Sequence, residues 1–192
     1  MYRFRVSADS SAIIDALEPL PLLLRAVLGA VAAAAGVYDL RTRRIPNWLI
    51  AVGLAAALAA QGTRGWAGVR EAGLGILLAL AVYLPLYALR AVGGGDVKLM
   101  AAIGVAAGPG NWLVIFVLAS LIGGAMAVFM IVTRGRLRRT ASNIAAIFGS
   151  LLRFNAPYRN RPDLDVRDSS SMRLPHGVSI ALGVALYLAA VH

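Results

Sequence analysis

Apolar residues in this chain form long stretches that short polar segments interrupt. The stretches cover residues 20–38, 48–60, 72–89, 97–107, 112–132 and 174–191. A helix needs about 20 largely apolar residues to cross the hydrocarbon core of a bilayer, where no water satisfies an unpaired backbone amide. The pattern therefore predicts an all-α, polytopic membrane protein with about six transmembrane helices. The second and fourth stretches are short, so they must tilt or borrow flanking residues.

The composition supports a membrane protein and narrows the possible chemistry. Hydrophobic residues make up 59% of the chain and charged residues 15%, with a mean hydropathy of +0.74. The absence of cysteine excludes a disulfide framework, a zinc–thiolate site and a thiol nucleophile. His176 and His192 are the only histidines, too few for a multi-histidine metal site. We therefore expect catalysis by oxygen or nitrogen groups, without a metal or an organic cofactor.

The basic residues predict the orientation of the helices. A net charge of +10 would suggest a nucleic-acid ligand in a soluble protein, but here it indicates membrane topology, because cytoplasmic segments retain Lys and Arg. We expect no nucleic-acid partner and place both termini outside the bacterial inner membrane. The inner segments then contain most of the cations, which are Arg41, Arg43, Arg44, Arg90, Lys98 and nine arginines within residues 134–173.

The chain is predicted to form one domain, residues 1–192. Residues 1–19 are expected to be a retained N-terminal tail, and residues 134–173 a basic cytoplasmic loop. Within that loop, apolar residues at helical spacing predict an amphipathic helix near residues 143–154. Its arginine-rich flanks favour a position on the inner leaflet in contact with anionic membrane lipid.

Two carboxylates lie at the predicted inner boundary of the bundle. Asp39 follows the first stretch in YDLRTRRIPN, and Asp96 precedes the fourth in GGGDVK. Each could simply cap a helix in the headgroup region. The three glycines before Asp96 allow positive φ and close backbone approach, although an ordinary turn is an alternative. If the two acids meet in a partly dry site, they share one proton.

Such a pair has the outline of a peptide hydrolase. The ionised carboxylate takes a proton from the attacking water, while the protonated one polarises the scissile carbonyl. Lys98 could act on Asp96 or bind lipid headgroups. His176 is expected to be a structural or interfacial residue.

The order of YD, RIPN, GGGDVK and LPHG resembles the type IV prepilin peptidases. It is most similar to the short form that serves Flp-type, tight-adherence pili, and the resemblance runs from residue 20 to the last stretch. It implies that Asp39 and Asp96 are the catalytic residues. The final motif departs from the family, which usually has an aromatic residue where His176 stands. The supporting motif residues implied by the resemblance are Ile45, Pro46, Asn47, Gly93, Gly95, Lys98, Pro175 and Gly177.

The resemblance also implies the substrate and the reaction. The expected enzyme is an aspartic endopeptidase that removes the leader peptide of a prepilin or pilin-like precursor at the cytoplasmic face of the membrane, without methylating the new terminus. One alternative is a presenilin-like intramembrane protease, which also uses YD and GxGD motifs. Another is a proton-coupled transporter component in which the acids relay protons. The sequence leaves the particular pilin and the oligomeric state open.

Overall fold

The computed structural model describes residues 20–135 and 176–191. These residues form helices and no strands, which confirms the predicted all-helical class. The described part contains five helices, so the count of six is not confirmed. The predicted tail, the helix near residues 143–154 and nearly all of the basic loop lie outside the described residues. The helices are α1 (Leu22–Thr42), α2 (Asn47–Gly62), α3 (Gly65–Ala88), α4 (Gly94–Thr133) and α5 (His176–Ala190).

Helix α4 contains both the fourth and the fifth predicted stretches and is sharply bent between them. Gly108 interrupts the helix with φ 74° and ψ 171°, and Pro109 follows it. The indole Nε1 of Trp112 donates a 3.0 Å hydrogen bond to the carbonyl of Met100. Residues twelve apart in a straight helix are separated by about 18 Å. The two arms, residues 94–107 and 109–133, must therefore fold back against each other.

Three of the described helices are long and apolar enough to cross a membrane, namely α1, α3 and α4. Helices α2 and α5 are apolar but shorter, with 16 and 15 residues. Large apolar side chains such as Leu77, Leu121 and Phe129 are exposed on the outside of the bundle. Such an apolar surface is more stable in contact with hydrocarbon than in contact with water. Together these features indicate a membrane protein.

The first arm of α4 forms the centre of the bundle, and small residues let its neighbours approach closely. A Cβ atom on Gly104 would lie only 2.5 Å from the carbonyl oxygen of Gly75 in α3, so these two helices meet backbone to backbone. Helix α5 packs against α1 and α4. Gly36 of α1 gives room to a side chain of α5, since a Cβ on Gly36 would lie 2.8 Å from the Cβ of Ala181. This packing brings the start of α5 to the end of α1.

A buried amide stabilises the bend in α4. Gln61, which is 1% exposed, donates from Nε2 to the carbonyls of Val105 and Ala106 at 3.0 and 3.3 Å. In an unbroken helix the Val105 carbonyl would accept from residue 109, but Pro109 has no amide hydrogen. The side chain of Gln61 therefore satisfies a carbonyl that the bend leaves without its helical partner.

Candidate active site

Asp39 lies in the last turn of α1 and not after the helix as the predicted boundary implied. The helix continues to Thr42 and ends where Arg43 adopts a left-handed conformation, with its amide 3.0 Å from the Asp39 carbonyl. The carboxyl side chain points into the bundle, since Asp39 is only 8% exposed. A buried acid needs hydrogen-bond donors or a charge partner.

The donor to Asp39 is the backbone amide of Gly177 at the start of α5. This amide donates to Oδ2 of Asp39 at 2.7 Å. A Cβ atom on Gly177 would lie 2.8 Å from the Cβ of Asp39 and 3.0 Å from Oδ2, so a side chain there would displace the carboxylate. The amide belongs to the first turn of α5, where the helix dipole adds positive potential. Gly177 was predicted to be a supporting residue, and its amide contacts the acid directly.

Asp96 occupies the first turn of α4 and is partly buried. Gly93 caps the helix in an extended conformation, and its backbone amide hydrogen-bonds to the Asp96 carboxyl. The glycine run was predicted to allow positive φ, but none of its three glycines has a positive φ. The left-handed residue of this connection is Arg90, with φ 56°. The glycines instead provide space, as a Cβ on Gly93 would lie 3.4 Å from Asp96 Oδ2.

The two acids lie at the same end of the bundle. Asp39 and His176 are both near enough to Asp96 to act on it electrostatically. Tyr83 of α3, which is 4% exposed, is also within electrostatic reach of Asp96. Within residues 20–135 and 176–191, neither acid lies within ion-pair distance of a basic side chain. The arrangement is thus a carboxylate pair with a histidine and a tyrosine nearby.

Two contacts join the RIPN and GGGDVK motifs. Lys98 Nζ donates to Asn47 Oδ1 at 3.0 Å, a partner that neither prediction for Lys98 included. Ile45 lies against Gly95, where a Cβ would be 3.8 Å from that of Ile45. Pro46 is the N-cap of α2, in agreement with the prediction that it precedes the next helix. Pro175 lies outside the described residues.

Sequence reasoning missed Tyr83. Its ring packs edge to face against Trp112 and Phe116, at centroid distances of 6.3 and 6.0 Å. The available signal was a tyrosine hydroxyl within the apolar stretch of residues 72–89, but that stretch also contains Tyr87, and no local pattern connects Tyr83 with GGGD. In the described part of the chain, no three His, Asp or Glu side chains are grouped so that they could hold a metal ion.

The described helices form a bundle with an apolar outer surface and two acids at one end. These features are typical of a membrane protein with an acidic site. The family model of the type IV leader peptidase family matches residues 26–128, more than half of the chain. The chain belongs to this family, as its motifs predicted, and is therefore a peptidase of this kind. The match contains both acids but not α5. No curated protein and no solved structure matches the chain.

Proposed function

We propose that the protein is an aspartic endopeptidase that removes the leader peptide of Flp-type prepilins at the cytoplasmic membrane face, with Asp39 and Asp96 as its catalytic pair. The observation that carries the proposal is the electrostatic interaction of the two acids at one end of the bundle. Membership of the leader peptidase family supplies the substrate class.

The mechanism requires one proton on the carboxylate pair, because two close acids in a partly dry site do not both ionise easily. The Gly177 amide stabilises a negative charge on Asp39, so we assign Asp39 as the base. It takes a proton from water while the water oxygen attacks the scissile carbonyl carbon. Asp96 donates its proton to the carbonyl oxygen. When the tetrahedral intermediate collapses, Asp39 gives its proton to the leaving nitrogen as the C–N bond breaks, and Asp96 recovers a proton from the gem-diol hydroxyl as the carbonyl re-forms.

The position of the pair suits a substrate that is part polar and part apolar. By family resemblance the substrate has a short basic leader, a glycine before the cut and an apolar helix after it. The helix could remain in hydrocarbon beside the exposed apolar surface, while the leader reaches the acids at the helix ends. The nearby basic residues would repel a basic leader, so we assign them to orientation and lipid contact. They include Arg41, Arg43 and Arg44, all of them exposed.

The proposal is tested by co-expressing the enzyme with a Flp-like prepilin and measuring leader removal by mass spectrometry. Asp39→Asn and Asp96→Asn should each lower cleavage by about a thousandfold or more, while both variants accumulate in membranes. Glu71→Gln is the matched control, since it changes a carboxylate to an amide beside the bend at Gly108 and should cleave normally.

Other outcomes distinguish the alternatives. Full processing by either aspartate variant would refute the catalytic pair. A cut within the apolar segment of the substrate would indicate a presenilin-like intramembrane protease. Proton flux in proteoliposomes that depends on Asp96, without any cleavage, would indicate a transporter component. A methylated mature terminus would contradict the proposal that the enzyme only cleaves.

A further inference from the structure

The second arm of α4 runs antiparallel to α5, and two close contacts fix the relative level of the two helices. A Cβ on Gly183 would lie 2.8 Å from the backbone nitrogen of Ala119. A Cβ on Gly123 would lie 3.3 Å from Ser179 Oγ. A step of four residues forward along α4 therefore corresponds to a step of four residues back along α5, toward the carboxylate pair.

In this register the second arm continues well past the carboxylate pair. Ala125 is level with Gly177, whose amide bonds to Asp39. The helix ends eight residues further on, at Thr133, and eight helical residues span about 12 Å. By contrast, α1 ends at Thr42, three residues after Asp39, and α5 begins one residue before Gly177. The second arm thus projects beyond the two helices that hold Asp39.

The projecting segment, residues 124–133, is apolar on all sides. Its sequence is GAMAVFMIVT, without a charged residue. Val128 is 60% exposed and Phe129 72% exposed, and among the described residues of α4 none after Ala119 is buried. A helix that packs on one protein partner has an apolar stripe and a polar face, whereas a helix that is hydrophobic all round belongs in a core or in a membrane. Lipid is therefore the environment that fits this segment.

Arginines mark the end of the apolar surface at a different level on each side of the bundle. Arg134 is exposed and directly follows the projecting segment. On α1, the exposed Arg41 comes two residues after Asp39. Since arginines at helix ends lie at the headgroups, the hydrocarbon ends about 12 Å past the pair beside the second arm and about 3 Å past it beside α1. A bundle meets a bilayer in this way when it tilts or thins the bilayer on one side.

We propose that residues 124–133 lie in hydrocarbon, so that the membrane surface meets the bundle at two levels and the carboxylate pair is reached from water on the side of α1. The consequence for the substrate rests on the function proposed above. A polar leader would lose its hydration in the hydrocarbon beside the second arm. The leader therefore passes the end of α1 and the start of α5, while the apolar helix of the substrate stays in lipid.

The absence of cysteine allows single spin labels to test the position of the segment. The full-length protein is labelled at Val128→Cys, Phe129→Cys or Arg41→Cys and reconstituted in liposomes of phosphatidylcholine and phosphatidylglycerol. Collisions of the label with oxygen and with a water-soluble nickel chelate are then measured. At Val128 and Phe129 we expect oxygen to be favoured several-fold, as at the exposed Leu77 of α3, which supplies the hydrocarbon control as Leu77→Cys. At Arg41 we expect the nickel chelate to be favoured.

Three results would overturn the two membrane levels. Labels at Val128 and Phe129 that favour the nickel chelate would place the segment in water. Labels there that are shielded from both reagents would show that another part of the chain or a second copy covers the segment. A label at Arg41 that favours oxygen would place both sides at the same level. The measurement needs no substrate, so an active Asp39→Asn or Asp96→Asn enzyme would defeat the catalytic pair and leave the membrane levels intact.

The route of the leader is tested with a prepilin that carries one cysteine in its leader. In an Asp96→Asn background, which should hold the substrate uncut, this cysteine should form a disulfide with Arg41→Cys several-fold more than with Val132→Cys. Both positions are exposed, so accessibility alone does not separate them. Preferential cross-linking to Val132→Cys would overturn the proposed route.

Discussion

The backbone amide of Gly177 donates a 2.7 Å hydrogen bond to Oδ2 of Asp39, across 138 residues of sequence. The bond joins the first helix of the bundle to the last. It also extends the candidate site beyond residues 26–128, the part of the chain that matches the peptidase family. The environment of a proposed catalytic acid therefore depends on a helix outside the matched region.

Replacing Gly177 with Ala should impair catalysis. The new Cβ would lie 2.8 Å from the Cβ of Asp39 and would push the carboxylate away from its amide donor. A hydrogen bond to a charged group contributes about 1.5 to 3 kcal/mol, so we expect cleavage to fall roughly 10- to 100-fold. The measurement is kcat/KM with a prepilin peptide. Gly73→Ala is the control, because no atom lies within 4 Å of the added Cβ; equal activity in both variants would contradict the prediction.

The contact between Lys98 and Asn47 should hold α2 beside the start of α4. We expect Lys98→Ala and Asn47→Ala each to reduce cleavage several-fold, because the contact is exposed and contributes about 0.5 to 1.5 kcal/mol. The double variant should lose little more activity than either single variant, since both substitutions remove the same hydrogen bond. A double-mutant cycle on kcat/KM measures this coupling. Fully additive losses would show that the two side chains act independently.

Gly75→Ala should destabilise the bundle, because the added Cβ would overlap the carbonyl of Gly104 at the closest contact between α3 and α4. Overpacking of this kind costs about 1 to 3 kcal/mol. The apparent unfolding temperature in detergent should fall by several degrees. Gly73, two residues earlier in α3, again supplies the control. A Gly75→Ala protein as stable as Gly73→Ala would show that the helices can separate without cost.

Replacing Gln61 with Leu should weaken the bend in α4. The variant keeps a similar side-chain volume but leaves the carbonyls of Val105 and Ala106 without the amide that binds them. Buried unsatisfied carbonyls cost about 1 to 3 kcal/mol, so the unfolding temperature should fall. Thr133→Val, which removes only exposed hydrogen bonds to the carbonyls of Phe129 and Met130 in its own helix, should have little effect. Similar losses in the two variants would argue against a special role for Gln61.

The helical class and the approximate positions of the helices were predictable because both depend on local sequence. The apolar stretch at residues 48–60 lies within α2, and Pro46 precedes that helix as predicted. Helix α3 begins at Gly65, seven residues before the predicted start at residue 72. The polar residues Arg70 and Glu71 made the start of this helix look like a loop, but α3 includes both of them.

The candidate site was predictable in its residues but not in its contacts. Asp39 and Asp96 stand out as acids at the edges of apolar stretches, and the motifs around them identify the family. The partners of Asp39 and Lys98 depend on how distant helices pack, and no local pattern specifies them. Tyr83 reaches the site for the same reason, because α3 and α4 meet closely at Gly75 and Gly104.

The sequence by itself determined that this protein is helical, apolar and a member of a peptidase family, since hydrophobic runs and short motifs are properties of neighbouring residues. Only the tertiary structure decided that α4 folds back at Gly108 and that the amide of Gly177 meets Asp39. These relationships arise from packing between residues far apart in the chain, where small residues allow helices to touch and larger ones would hold them apart.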